Sequence, residues 1–194
     1  YEEYKAQREA TPEDIKLSVP IIKQIVAAYN IPILEVPGFE ADDVIGTISK
    51  LAEQSDFNVY MLTPDKDYAQ LVSDKVFIYR PRHGGGYETL DVQGVKDKWG
   101  ISSPSQVIDL LGLMGDSSDN IPGCPGVGEK TAVKLLNDFN SIDNLLNSTD
   151  SLKGALKQKI IDNCEKIKFS KFLATIRTDV PIEFEPEKFI LASP

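Results

Sequence analysis

The chain has 194 residues, 41% hydrophobic and 26% charged, with a formal net charge of −9. That length supports one sizeable core, or one core with a small satellite, and no apolar run nears the ~20 residues of a membrane-spanning helix. Two cysteines without a Cys-x-x-Cys, and a single histidine in the turn His83-Gly84-Gly85-Gly86, speak against disulfide frameworks, zinc sites and serine- or cysteine-histidine chemistry.

Tyr1-Glu2-Glu3-Tyr4 reads as an internal start and not as a signal peptide. Thr11-Pro12-Glu13-Asp14 predicts a helix start with a hydroxyl cap, proline in the first turn and acids at the positive end. Ile15, Val19, Ile22, Val26 and Tyr29 make one apolar face. Pro20 interrupts it and predicts a kink, or a fresh start capped by Ser18. Ile33-Leu34-Glu35-Val36 reads as a short strand. A second helix carries Val44, Ile45, Ile48, Leu51 and Ala52 on one side. Val59-Tyr60-Met61-Leu62 is a continuous apolar run, as expected of a strand covered on both faces. Val76–Tyr79 is another, and Arg82–Gly86 predicts a hairpin loop, with His83 at the surface, returning through Tyr87–Leu90. Strands alternating with helices indicate an α/β layered domain with a largely parallel sheet over residues 1–100.

From about residue 101 to 180 the pattern turns all-helical. Ser103-Pro104-Ser105-Gln106 reads as a capping box with proline at the first helical position, before an apolar face of Val107, Leu110, Leu111 and Met114. A glycine- and proline-rich loop follows, then helices from about 129 and Ser141, near 151–163 and near 165–176. Residues 181–194 read as an extended tail.

Three acidic clusters stand out. Glu40-Ala41-Asp42-Asp43 enters the second helix, where capping and dipole compensation would account for one acid but not for three. Thr63-Pro64-Asp65-Lys66-Asp67 follows the apolar strand ending at Leu62, the place where ligands bind in α/β sheets. An Asx turn accounts for one of its aspartates comfortably and for two less well. Asp116 and Asp119 in Gly115-Asp116-Ser117-Ser118-Asp119-Asn120 would share a face in a helical turn, although composition alone also fits a polar loop. Together the clusters suggest a site of carboxylates only, and hard oxygen ligands without His or Cys select Mg²⁺ or Mn²⁺. Two such ions about 4 Å apart can clamp an in-line phosphoryl displacement.

Ile121-Pro122-Gly123-Cys124-Pro125-Gly126-Val127-Gly128-Glu129-Lys130-Thr131-Ala132 makes a tight turn straight into a helix. Glycines admit a phosphate to the backbone, and the helix start offers free N–H groups. This is the helix-hairpin-helix pattern of sequence-independent DNA binding, with Lys130 and Lys134 where a phosphate backbone would pass. The overall charge argues against nucleic acid, but its distribution does not: Lys153, Lys157, Lys159, Lys166, Lys168, Lys171 and Arg177 crowd the last helical stretch. Lys5 and Arg8 in Tyr4-Lys5-Ala6-Gln7-Arg8 could neutralise a scissile phosphate, or lie on a solvated helix face.

The order of these motifs resembles the 5′-nuclease domain of bacterial DNA polymerase I, in the flap endonuclease superfamily. The resemblance covers residues 1–180. It implies a Rossmann-like α/β core with a helical DNA-binding subdomain, and cleavage of 5′ flaps and nicked duplexes, including RNA primer ends. It implies Glu40, Asp42, Asp43, Asp65, Asp67, Asp116 and Asp119 as metal-site acids for two Mg²⁺ or Mn²⁺ ions. Lys5 and Arg8 would steer the scissile phosphate from the base of an arch. Gly123, Gly126, Val127, Gly128, Lys130, Thr131 and Lys134 would hold the uncut duplex, with a monovalent cation at the loop. A polymerase domain in the same parent chain and a bacterial cytoplasmic setting are implied too. The family pattern also opens with a strand bearing an aspartate, places another acid before Tyr4, and carries a fuller arch. This sequence has none of these, so the expected metal site lacks acids and the sheet has an open edge. The alternative is a non-catalytic helix-hairpin-helix module whose acids only cap helices.

Overall fold

A computed structural model describes residues 2–82 and 84–191. The surface position expected for His83, the opening Tyr1 and the last three residues of the expected tail lie outside the described residues. Helix α1 (Glu13–Ala28) and α2 (Ala41–Gln54) precede strand β1 (Val59–Leu62). A 3₁₀ turn (Asp67–Leu71), β2 (Val76–Pro81), β3 (Tyr87–Leu90) and α3 (Val92–Trp99) complete the α/β part. Then come α4 (Gln106–Met114), α5 (Glu129–Phe139), α6 (Ile142–Asn147), α7 (Gly154–Asp162) and α8 (Cys164–Ala174).

The sheet runs in the order β1-β2-β3. β1 and β2 are parallel, with Val59 opposite Val76 and Leu62 opposite Tyr79. β2 and β3 form the expected antiparallel hairpin, Ile78 opposite Leu90. β1 departs from expectation in being covered on one face only. Met61 is buried, whereas Tyr60 and Leu62 are 59% and 69% exposed. Residues 33–36 form no strand either. A strand needs a ladder partner for its N–H and C=O groups, and among the described residues none pairs with this segment. Leu34 instead lines an open apolar groove with Ile45, Ile48, Tyr60 and Leu62.

α1 is a single helix running through Pro20, and Ser18 Oγ donates to the Asp14 carbonyl instead of capping a restart. Its N-cap is Pro12, so the Thr11 hydroxyl does not serve as expected. The α4 start also differs. Gln106 Oε1 accepts from Ser102 N at 2.7 Å and from Ser103 N at 3.4 Å, which is half of a capping box, but the helix begins only at Gln106. Elsewhere local chemistry sets the ends: Asp91 accepts from Gly94 N, Ser141 accepts from Asn144 N, and left-handed Gly100 ends α3.

One core runs through both halves. Met61, Val76 and Ile78 of the sheet join Leu110, Leu111 and Leu113 of α4, Leu135 and Leu136 of α5, and Ile160 and Ile167 beyond. Full burial of each such side chain stabilises by roughly 1.5–3 kcal/mol. α4 is the centre, packed on α5, α8 and the 3₁₀ turn. Gly112 permits the α4–α8 approach, since a methyl group there would lie 3.0 Å from the Lys171 α-carbon. Gln70 ties the layers together, donating to the Ala174 carbonyl and accepting from Ile176 N. The 3₁₀ turn that follows β1 and the end of α8 therefore meet at one place.

Candidate metal cleft and nucleic-acid interface

That meeting place is acidic. Glu40, Asp42, Asp43, Asp67 and Asp119 line one cleft with Tyr4 and the segment Phe172–Arg177. Helix capping does not account for the first cluster. Glu40 occupies the α2 N-cap but makes no cap bond, and pairs with Lys5 instead. Asp42 accepts from the Tyr68 hydroxyl at 2.8 Å, and Asp43 accepts from Arg177 N at 2.9 Å. Asp43 thus anchors the chain leaving α8.

In the second cluster the two aspartates part company. Asp65 Oδ1 accepts from Asp67 N at 3.0 Å, an Asx turn, and Asp65 remains exposed. The chain does not stay extended there, so residues 65 and 67 do not point the same way. Asp67 opens the 3₁₀ turn and faces inward. Its Oδ1 is buried and takes no hydrogen bond, although the Lys66 ammonium lies 3.3 Å away. Burial first, then the charges of Asp65 and Asp116, lift its carboxyl from 3.8 to about 6 against the pull of Lys66.

The third cluster is a turn and not a helix. Asp116 pairs with Ile121 as an isolated antiparallel bridge around residues 117–120. Both aspartates are buried, Asp116 at 7% and Asp119 at 8% exposure. Asp116 Oδ1 accepts from Ser118 N and Oγ, and its Oδ2 accepts from Lys66. Burial alone would raise the Asp116 carboxyl, but the bonds from Lys66 and Ser118 hold it below its ordinary value. Asp119 binds Arg8, with Lys5 Nζ at 3.7 Å.

Residues 3–8 form a strap over that turn. Lys5 N donates to the Asp119 carbonyl, Asn120 Nδ2 to the Glu3 carbonyl, and Gln7 Nε2 to the Ser117 carbonyl. Lys5 and Arg8 therefore sit among the acids and not on a solvated helix. Burial would lower the Lys5 ammonium, but Glu40, the Tyr4 phenol and Asp119 together hold it well above its ordinary value. Lys66 and Tyr68 were not singled out by sequence. The only signal was position, since Lys66 lies between two acids in Asp65-Lys66-Asp67.

The donor set suits a hard divalent cation: carboxylates, one of them buried with a raised pKa and only the Lys66 ammonium, 3.3 Å away, recorded against its inward oxygen. Among the described residues, however, no three of these acids converge on a common point. Lys5, Arg8 and Lys66 stand between the carboxylates and offset their charge.

The glycine hairpin lies between α4 and α5. Gly126 has φ +72°, and Gly128 is the α5 N-cap, its carbonyl accepting from Thr131 N and Ala132 N. Gly126, Gly128, Lys130 and Lys134 are exposed and Thr131 is half-buried. Gly123 and Val127 correct the expectation. Both are buried, with Gly123 N donating to Ser170 Oγ and Val127 packed in the core. They support the loop from within.

Comparison with known proteins places this architecture. The family model for the 5′-3′ exonuclease N-terminal resolvase-like domain matches residues 1–100. The model for the 5′-3′ exonuclease C-terminal SAM fold matches residues 102–194. DNA polymerase I of Bacillus subtilis is 46% identical over 94% of the chain, and the thermostable DNA polymerase I of Thermus aquaticus 42% over 95%. The chain spans only 21% and 22% of those two proteins. Among solved structures, a bacteriophage T5 flap endonuclease in a complex with DNA and metal ions has a TM-score of 0.72 at 23% identity, covering 91% of this chain and 68% of that one. The catalytic core of Rad2 with a DNA substrate has a TM-score of 0.62 at 16% identity, covering 98% and 64%. Those likenesses show the fold, a mixed α/β core with a helical SAM-like part. With a family model matched on each half, the chain belongs to the 5′-3′ exonuclease family.

Proposed function

We propose that this chain is the nuclease portion of a DNA polymerase I, hydrolysing DNA phosphodiesters at 5′ flaps, nicks and RNA primer ends. The observation that carries the reading is the cleft itself. Acids from positions 40 to 119 line one cavity of about 250 Å³, and Lys5 and Arg8 are strapped against them.

In the proposed reaction a water oxygen forms a bond to phosphorus and the bond to the 3′ oxygen breaks, leaving a 5′-phosphate and a 3′-hydroxyl. Divalent ions, two Mg²⁺ or Mn²⁺, would lower the pKa of the attacking water and offset charge on the phosphoryl group when bound. Asp67 and Asp119 would hold them with Glu40 and Asp42. Asp43, Asp65 and Asp116 each spend an oxygen on a backbone N–H, so they would act through water. Lys5 and Arg8 exchange their carboxylate partners for the scissile phosphate. The exposed hairpin glycines, Lys130, Thr131 and Lys134 hold the uncut duplex by its phosphates, reading shape and not bases. A monovalent cation would fit the same loop. The α/β part, residues 1–100, and the helical part, residues 101–180, then divide cutting from gripping. The free Cys124 and Cys164 suit a reducing bacterial cytoplasm, and a polymerase domain of the parent chain would fill the gaps left by cleavage.

A flap-cleavage assay with Mg²⁺ tests the reading. Product ending in a 5′-phosphate, lost on Asp67→Asn, supports it. One rival is a module that binds DNA without cutting it. That rival predicts duplex binding with no Mg²⁺ effect on either cleavage or thermal stability.

A further inference from the structure

We infer that Lys159 of α7 is a phosphate ligand of the hairpin, so that the duplex track continues from α5 onto α7. The inference rests on the proposed duplex-gripping role of the glycine loop. It begins with the pairing of cations. Lys157, Lys168 and Lys171 are engaged by Asp150, Glu165, and Asp109 with Asp143. In the helical half, Lys130, Lys134, Lys153, Lys159 and Lys166 make no ion pair among the described residues; in the α/β part the same is true of Lys50, Arg82, Lys96 and Lys98.

Of these, Lys159 is built into the loop. A methyl group on the exposed Gly126 would lie 2.7 Å from Lys159 Nζ, so the ammonium covers the open face of that glycine. The Lys159 backbone is pinned as well. Its carbonyl accepts from Asn163 N and Nδ2 and lies 3.9 Å from Cys124 Sγ within the loop. Ser170 Oγ accepts from Gly123 N, fixing the same loop from α8. The charges of Lys159 and Lys166 are both felt at Cys124. A half-buried ammonium without a carboxylate, placed beside the backbone that a phosphate would approach, is positioned to meet that phosphate. Lys134 and Lys153 line a cleft between α5 and the start of α7, together with Asp138.

The test is duplex binding by fluorescence anisotropy over a salt series, in EDTA to prevent cleavage. Lys159→Gln is compared with the parent, with Lys130→Gln in α5, and with Lys50→Gln in α2 as a distant control. Because Lys159 makes no ion pair, its variant is expected to melt with the parent. The expected result is five- to tenfold weaker binding, with the slope of log K against log salt reduced by about 0.9, the share of one phosphate contact. Lys159→Arg, which keeps the charge, restores the slope. Binding by Lys159→Gln within twofold of the parent with an unchanged slope, while Lys130→Gln weakens, overturns the inference and leaves the hairpin reading standing. Equal loss in Lys50→Gln also overturns it, since total charge would then explain the effect. Unchanged binding in both Lys130→Gln and Lys159→Gln removes the hairpin reading itself.

Discussion

Lys66 and Asp116 are fifty positions apart in the chain and joined by an ion pair, and Asp67 of the acidic cleft shares the same ammonium at 3.3 Å. Burial would lower the Lys66 ammonium, but Asp116 and Asp67 hold it above its ordinary value. The lysine thus supplies positive charge where the acids would otherwise repel.

Removing that charge is expected to matter only without metal. Lys66→Ala leaves Asp67 and Asp116 facing each other uncompensated, and the loss expected in EDTA is about 1–3 kcal/mol. Saturating Mg²⁺ should restore most of it, because a ligand that binds only the folded state stabilises it. Chemical denaturation with and without Mg²⁺ measures both. A loss of the same size in the two conditions would mean that Lys66 serves packing alone.

Asp67 gives a pH signature. Its folded pKa is raised from 3.8 to about 6 by burial. A raised carboxyl penalises the folded state once it ionises. The penalty is absent below about pH 4, grows between pH 4 and 6, and is complete above that. Asp67→Asn is therefore expected to stabilise the metal-free protein by about 1–3 kcal/mol at pH 8 and by almost nothing at pH 4. It should also erase the Mg²⁺-induced rise in Tm. Thermal melts across pH settle it, and a variant less stable at pH 8 would refute the assignment.

The hairpin glycines should divide by location. Gly123 has φ +60°, and a methyl group there would lie 2.3 Å from Gly115 N. Gly123→Ala is expected to cost about 2–4 kcal/mol, from overpacking plus a left-handed backbone. Gly128 has φ −95° and nothing within 4 Å of such a methyl group. Gly128→Ala should change stability by under about 1 kcal/mol and weaken duplex binding severalfold. Equal stability losses would contradict the division.

Lys5 and Arg8 are expected to act on cleavage more than on grip. Arg8→Ala should lower the single-turnover rate by about 10²-fold, the scale of losing one charge-stabilising donor, while duplex affinity changes less than threefold. A purely proportional loss in both would place Arg8 in binding instead.

Much of the fold was legible. Capping residues, apolar periodicity and glycine-proline punctuation located most helices within a few residues, because these signals are local. Residues 33–36 misled because apolar content resembles a strand while pairing depends on a neighbour elsewhere. β1 misled for the same reason, since Tyr60 and Leu62 are apolar yet exposed. The candidate acids were legible as clusters, but not which would serve the backbone. Asp43 and Asp65 look like their neighbours in sequence, and only the path of the chain beyond α8 and beyond β1 separates them.

By itself, the order of residues determined the elements, the all-carboxylate character of the candidate site and the glycine turn leading into α5. Each depends on side-chain type and on spacing within a few turns. Tertiary structure alone decided that Lys5 meets Glu40 and Asp119, that Lys66 bridges Asp67 and Asp116, and that Lys159 reaches Gly126. Most of those partners lie tens of positions apart. Their contact is set by the packing of separate elements on one another, and no local spacing encodes that packing.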